Sequence, residues 1–384
     1  MIPGSPVQPV EAGDLAMLAS TEYVERCLLC GEAGTTLYSH IGDDLYGHAG
    51  DFGEMICPAC GLIWLSPRPA REDMGAFYAH YYTHAPAAES AADGPARFLG
   101  QLRDAIRNMI LCGYYGYRHL HTSHALCVLG NALGRLRWLR LRATNELKEL
   151  IPRYRKEGVL LDIGCGRGDF LQAMQALGWQ VLGVEGDPEA AALARRRGLA
   201  VHPLPIEVAE IPEESVDHVT MNHVIEHVYD PMAVMRKCSR ILKPGGTVVL
   251  YTPNTSSLGH RRFRGHWRPL EAPRHLYCFS PATLRACLER SGFRNIRLWT
   301  SPRLAQGVYD ASVLIEEGRG AGAHDPPPQR GRGWFSLKER ALCTFGWPGG
   351  EELVATAAKP SAASRGVRST LCTPTEGRSP NGPR

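Results

Sequence analysis

Between Gly158 and Glu185 the chain reads GVLLDIGCGRGDFLQAMQALGWQVLGVE, and this stretch constrains the fold more than any other. An apolar run, Val159 to Ile163, precedes glycines at 164, 166 and 168. Phe170, Leu171, Met174 and Leu177 then recur at helical spacing. A second apolar run begins at Val181 and ends in the acid Glu185. The pattern predicts a buried strand, a turn without side chains, a helix, and a second strand with an acid at its tip. Glycines let the backbone bend tightly and let a ligand approach the main chain. The helix N-terminus offers unpaired N–H groups and the positive end of its dipole. An acid at the next strand tip can accept both hydroxyls of a ribose. Together they predict a nucleoside-type cofactor site at the carboxyl ends of parallel strands.

The spacing Gly164-x-Gly166-x-Gly168 departs from the dinucleotide fingerprint G-x-G-x-x-G. With Asp162 before it, D-I-G-C-G-x-G resembles motif I of the class I S-adenosylmethionine-dependent methyltransferases. The resemblance runs from about Gly158 to Pro302. It implies that Asp162, Gly164, Cys165, Gly166 and Gly168 hold the amino-acid end of S-adenosylmethionine. It implies also that Glu185 takes the ribose, that Gly186 or Asp187 flanks the adenine, and that Asn222 and His223 face the methyl group. Where many members carry an adenine-binding acid after the third strand, this chain has Leu204-Pro-Ile-Glu207.

Strand and helix patterns alternate beyond the motif. Strands are predicted at 159–163, 180–185, 199–203, 216–222, 247–251, 293–299 and 351–357. Helices opening on Pro188, Pro231 and Pro281 separate several of them. The fold class is therefore α/β, a doubly wound, mostly parallel, seven-stranded Rossmann-like sheet. In the family resembled, the seventh strand is antiparallel and lies between the fifth and sixth.

After the fourth strand comes His223-Val-Ile-Glu-His-Val-Tyr-Asp-Pro231. Its E-H-x-x-D-P pattern resembles small-molecule methyltransferases of the ubiquinone-biosynthesis type. His223 and His227 are the general-base candidates, with Glu226 beside them; the alternative is that Glu226 and His227 only cap and orient this loop. A second loop, 260–280, is dense in arginine and ends in P-R-H-L-Y-C-F-S. That ending resembles segments of methyltransferases in bacterial glycan and secondary-metabolite pathways. Arg264, Trp267, Arg274 and His275 are its candidate acceptor contacts, suited to an anionic ring-bearing molecule.

Near the N-terminus stand two C-x-x-C-G knuckles, Cys27/Cys30 and Cys57/Cys60. Four sulfurs complete a closed tetrahedral zinc site, so the expected metal is structural. A redox pair is the rival reading. His40 and His48 lie between the knuckles, as surface groups or as an alternative ligand. The aromatic and His-rich stretch 77–84 either docks this ribbon on the main domain or lines an acceptor pocket. Arg135, Arg137, Arg140 and Arg142 are expected on a solvated helical face.

The expected organisation is a loosely ordered 1–22, a zinc ribbon over 23–70, a linker and helical region over 71–150, the methyltransferase domain over 151–359 and a disordered tail over 360–384. The formal charge is +4, and four arginines against one glutamate after Pro360 carry most of it. From Cys27 to Cys60 there is no Lys or Arg, which argues against a ribbon that grips RNA. The remaining eight of twelve cysteines are scattered singly, which predicts a cytoplasmic protein with one metal site rather than a disulfide framework. The N-terminus has no secretory pattern. The expected activity is methyl transfer to a small molecule, glycan or sugar nucleotide, at oxygen. A sugar C-methyltransferase, an RNA methyltransferase and a non-catalytic cofactor-binding scaffold are the alternatives.

Overall fold

The computed structural model describes residues 20–361, apart from Leu45 and the stretches 79–94, 121–122, 137–138, 141–143, 145–150 and 320–330. The ribbon comes first: β1 (Thr21–Glu22), β2 (Thr35–Ile41), β3 (Phe52–Ile56), β4 (Ile63–Leu65) and β5 (Arg68–Pro69). Two helices follow, α1 (Pro95–Gly113) and α2 (His124–Arg135). The alternating region then runs β6 (Val159–Ile163), α3 (Asp169–Ala176), β7 (Gln180–Val184), α4 (Pro188–Arg196), β8 (Val201–His202), β9 (Val216–Asn222), α5 (Pro231–Ile241) and β10 (Leu242–Pro253). It closes with α6 (Leu258–Phe263), β11 (Tyr277–Cys278), α7 (Pro281–Arg290), β12 (Arg294–Ser301), α8 (Ala305–Glu316), α9 (Arg332–Thr344) and β13 (Glu352–Ala358).

The seven-stranded sheet has the order β12-β13-β10-β9-β6-β7-β8. Pairing is parallel from β10 through β8, and β13 is antiparallel to both β10 and β12. The expected place of the seventh strand is thus the observed one. Central strands read as near-continuous apolar runs because both faces are covered. The order reverses at β6, so the crevice for a ligand opens beyond the ends of β6 and β9. Residues 243–246, ahead of the strand expected at 247–251, lie within β10 as a register shift between Leu242 and Thr247, with Gly245 at φ +77°.

Two features depart from the sequence reading. The ribbon is not a separate module. β11, from the loop after β10, pairs with β4, giving a sheet of order β11-β4-β3-β2. Leu62 to Leu65 are buried in one core with Phe263, Trp267, Leu276 and the β9 residues Val219 and Met221. The second departure is that Cys112 of α1 and Cys127 of α2, read as single cysteines, are joined by a disulfide, with Cα atoms 5.3 Å apart. Gly113 and Gly130 let the two backbones meet beside it: a Cβ on Gly113 would stand 1.9 Å from Cys127 O and one on Gly130 1.7 Å from Met109 O.

Candidate active site

The turn after β6 is built for backbone approach. Gly164, Gly166 and Gly168 have φ of +71°, +53° and +84°. Gly164 N donates to Val184 O at 2.8 Å, tying the turn to the end of β7. A Cβ on Gly164 would stand 2.5 Å from Val224 Cγ2, so the turn packs directly on the loop after β9. A Cβ on Gly166 would meet nothing within 4 Å, so at Gly166 the turn faces an opening.

Glu185 is aimed back at this turn. One carboxylate oxygen accepts Gly166 N at 2.7 Å and the other accepts Asp187 N at 2.9 Å. Burial pushes its pKa up against these N–H donors. Asp162 is buried and accepts the Thr220 hydroxyl at 2.6 Å. Cys165 is a buried thiol beneath the turn, and burial pushes it well up. Asp187 caps α4, accepting Glu189 N at 2.9 Å. Asn222 Oδ1, at the end of β9, is buried without a hydrogen-bond partner among the described residues. An opening over Gly166, an acid beside it and an orphaned acceptor at Asn222 together fit a nucleoside-bearing cation.

His223 follows Asn222 with φ +56°. Its Nδ1 lies 3.0 Å from Glu226 Oε1 and its Nε2 3.2 Å from Glu352 Oε1. Burial by itself would lower its pKa, but the two carboxylates overcome that and raise it to about 9. Glu352 opens β13 and also takes Arg303 Nη2 at 2.5 Å. Burial works against its charge, yet His223 and Arg303 hold it down at about 2. His227 is different in kind. Burial first, then His275, lowers it to about 4, so this imidazole is neutral. Its Nδ1 lies 2.8 Å from the Tyr78 hydroxyl and 3.1 Å from Arg274 O. His223 and Glu226 therefore form one cluster, while His227 is tied to the ribbon's edge and to the 271–275 segment. Glu226, His227 and His275 also bring three donor atoms within 4.8 Å of one another.

The acceptor candidates need correction. Trp267 is buried and donates its Nε1–H to Glu351 at 2.8 Å. Arg274 is 0% exposed and grips Asp43 with Nη1 at 2.9 Å and Nη2 at 2.6 Å. His275 is buried against Pro269 O at 2.7 Å. Arg274 ties the 264–275 segment to the ribbon, Trp267 ties it to Glu351 and His275 holds it to itself, so the three present no surface to an acceptor. Arg264 alone of the four is exposed, with φ +51°. The 77–84 stretch is described only at Phe77 and Tyr78, and both dock the ribbon: Phe77 is buried and Tyr78 meets His227. Arg140 stacks over Tyr114 at 4.7 Å; Arg137 and Arg142 lie outside the described residues.

Glu352 and Arg303 escaped the sequence reading. A clue was available: Glu351-Glu352 opens an apolar strand, and adjacent acids entering a core need partners. Arg303 carried no such signal.

The four knuckle cysteines converge. Sγ distances are 3.5 Å for Cys27–Cys60, 3.4 Å for Cys30–Cys57 and 3.8 Å for Cys30–Cys60. Zinc–sulfur bonds of about 2.3 Å in a tetrahedron imply roughly 3.8 Å between sulfurs, so the donor set fits zinc. Gly31 and Gly61 turn at φ +77° and +78° and donate to Cys27 O and Cys57 O. His40 pairs with Asp51 and His48 with Asp43, so both histidines are engaged away from the sulfurs.

Comparison with known proteins agrees with this geometry. Residues 135–298 match a family model described as a methyltransferase domain. A ubiquinone biosynthesis O-methyltransferase of Xanthomonas campestris is 41% identical over 103 residues, covering 25% of this chain and 43% of the relative. The protein of that name from Pseudomonas aeruginosa is 40% identical over 102 residues, covering 25% and 44%. The chain thus spans less than half the length of these curated relatives. Among solved structures, a possible histamine N-methyltransferase of Thermotoga maritima is 20% identical, with a TM-score of 0.38 over 59% of this chain and 95% of that one. With its glycine turn, its acid-tipped second strand and its antiparallel seventh strand, this chain carries a class I S-adenosylmethionine-dependent methyltransferase domain.

Proposed function

We propose that the protein transfers the methyl group of S-adenosylmethionine to a hydroxyl of a small molecule. One observation carries this reading. The glycine turn packs against Val224, so the donor cradle adjoins His223, a titratable group held by Glu226 and Glu352. Asp162, the glycine turn, Asn222 and Glu185 would hold the cofactor, which supplies an activated methyl on a neutral leaving group. The chain's own work is to hold the acceptor in line and exclude water. The acceptor's proton passes to His223 Nδ1 as the acceptor hydroxyl takes the place of Glu226 there, Nε2 staying on Glu352. Arg303 and Glu352 fix the ring. The zinc, held by Cys27, Cys30, Cys57 and Cys60, is structural, and a cytoplasmic location accompanies this reading.

The pH dependence follows from His223. Below about 9 the imidazole carries its proton and cannot take another. The transfer rate will rise about tenfold per pH unit below that value and level off above it. His223→Asn, chosen because Asn tolerates positive φ, will flatten this profile and lower kcat about 10²–10⁴-fold. A profile unchanged in the variant removes His223 as the base. Glu185→Ala will weaken S-adenosylmethionine binding by at least about tenfold in calorimetry, from the loss of charge-assisted hydrogen bonds. Unchanged affinity would show that the cofactor lies elsewhere. Labelled cofactor tested against phenols and sugar nucleotides identifies the acceptor class. Label passing only to sugar nucleotides would replace this reading by a glycan one.

A further inference from the structure

We propose that the outer face of α9 docks on a membrane surface bearing anionic lipid. The helix has two stripes. Phe335, Ser336, Glu339 and Cys343 are buried on the domain, with the Phe335 ring 4.9 Å from that of Tyr309. The opposite stripe, at helical spacing, is Trp334, Leu337, Ala341 and Phe345, continued by Trp347. Trp334 is 68% exposed, Leu337 67%, Phe345 87% and Trp347 58%. Large apolar side chains aligned on a solvent face mark a binding surface.

Charge selects the occupant. Lys338 and Arg340 are exposed on this helix, and Lys338 Nζ stands 5.1 Å over the Trp334 ring. Arg332 at its start is paired with Asp310. The one acid between residues 331 and 350 is Glu339, which is buried. A tryptophan-rich stripe bordered by cations and free of exposed acids matches the headgroup zone of an anionic bilayer. The rings sit at the acyl boundary and the cations meet phosphates. A second copy of the chain fits less well, because a twofold contact would set Lys338 and Arg340 against the same cations. α9 belongs to the insertion between β12 and β13, and β13 begins at Glu352, the partner of His223. The docking face therefore leaves the sheet from the end that holds the site.

Flotation of the full chain with vesicles tests this. It measures no methyl transfer, so it stands apart from the proposed activity. The wild type will bind vesicles of phosphatidylcholine mixed with phosphatidylglycerol, more weakly as salt rises, and phosphatidylcholine alone poorly. Lys338→Gln with Arg340→Gln will weaken binding about thirtyfold. Trp334→Ser with Leu337→Ser and Phe345→Ser will abolish it while circular dichroism stays native. A wild type that does not float overturns the proposal. So do variants that bind like the wild type, and so does a wild-type dimer that the triple variant converts to monomer.

Discussion

Arg274→Ala will destabilise the protein by about 3–5 kcal/mol, measured by denaturant unfolding, because it takes the guanidinium from a buried carboxylate and leaves it with His48 and the Tyr46 N–H. Arg274 and Asp43 are both 0% exposed at the side chain, and the guanidinium meets the carboxylate through both terminal nitrogens. It also lies 4.8 Å over the Tyr46 ring. Asp43→Ala takes away the carboxylate that meets both terminal nitrogens and leaves Arg274 the longer contact to Glu271 at 3.4 Å, and will cost a similar amount. Replacing both partners with apolar residues, Arg274→Met and Asp43→Leu, will cost far less than the sum of the single changes, since no charge then stays buried alone. Acid will undo the pair only at low pH. Burial works against the Asp43 charge, but Arg274 and His48 together hold its pKa below the ordinary 3.8. Its contribution is complete above the unfolded value and is lost as the pH falls through the lower folded one. Additive single and double effects would show that the two residues do not act as a pair.

This ion pair shows where sequence reading stops. The glycine turn, Glu185 and the two knuckles were legible because their partners are local. Three glycines and an acid occupy 22 residues, and each knuckle occupies five. Strand order was legible through apolar runs and proline-opened helices. The bonds that close the site were not. Arg274 and Asp43 are 231 residues apart, Tyr78 and His227 149, and His223 and Glu352 129. No period links such positions. The arginine-rich 260–280 loop read as an acceptor surface because charge suggests solvent. Burial reversed that for Arg274, whose partner lies in the ribbon. The two helical stripes of α9 escaped for a related reason: 318–334 is rich in Gly, Pro and Arg and reads as a loop, while the helix begins inside it, at Arg332.

Stripping the zinc proposed for the four cysteines will slow methyl transfer at least about a hundredfold while leaving cofactor affinity within about twofold. The path from the four cysteines to the site is continuous. Cys57 and Cys60 hold the second knuckle, and Cys57 N bonds Leu62 O at 2.9 Å, leading into β4. β4 pairs with β11 at Trp64–Tyr277 and Ile63–Cys278, and Leu65 N donates to Leu276 O at 3.0 Å. Leu276 N and Tyr277 N then both donate to Glu226 O, at 2.8 and 3.1 Å. Glu226 holds His223. A structural zinc contributes about 10–16 kcal/mol to folding in small finger peptides, so its loss will melt the ribbon. β4 then ceases to brace β11, the Arg274–Asp43 pair opens, and the peptide carrying Glu226 loses its anchors. The glycine turn and Glu185 sit on β6 and β7, further along the sheet and bonded to each other, so the donor site outlasts the ribbon. Chelator-treated protein, checked by metal analysis, should bind S-adenosylmethionine in calorimetry and transfer label at least about a hundredfold more slowly, with activity restored by added zinc. A metal-free protein of full activity would show that the ribbon is a passenger. One that loses cofactor binding as well would show that the two sheets fold as a single unit.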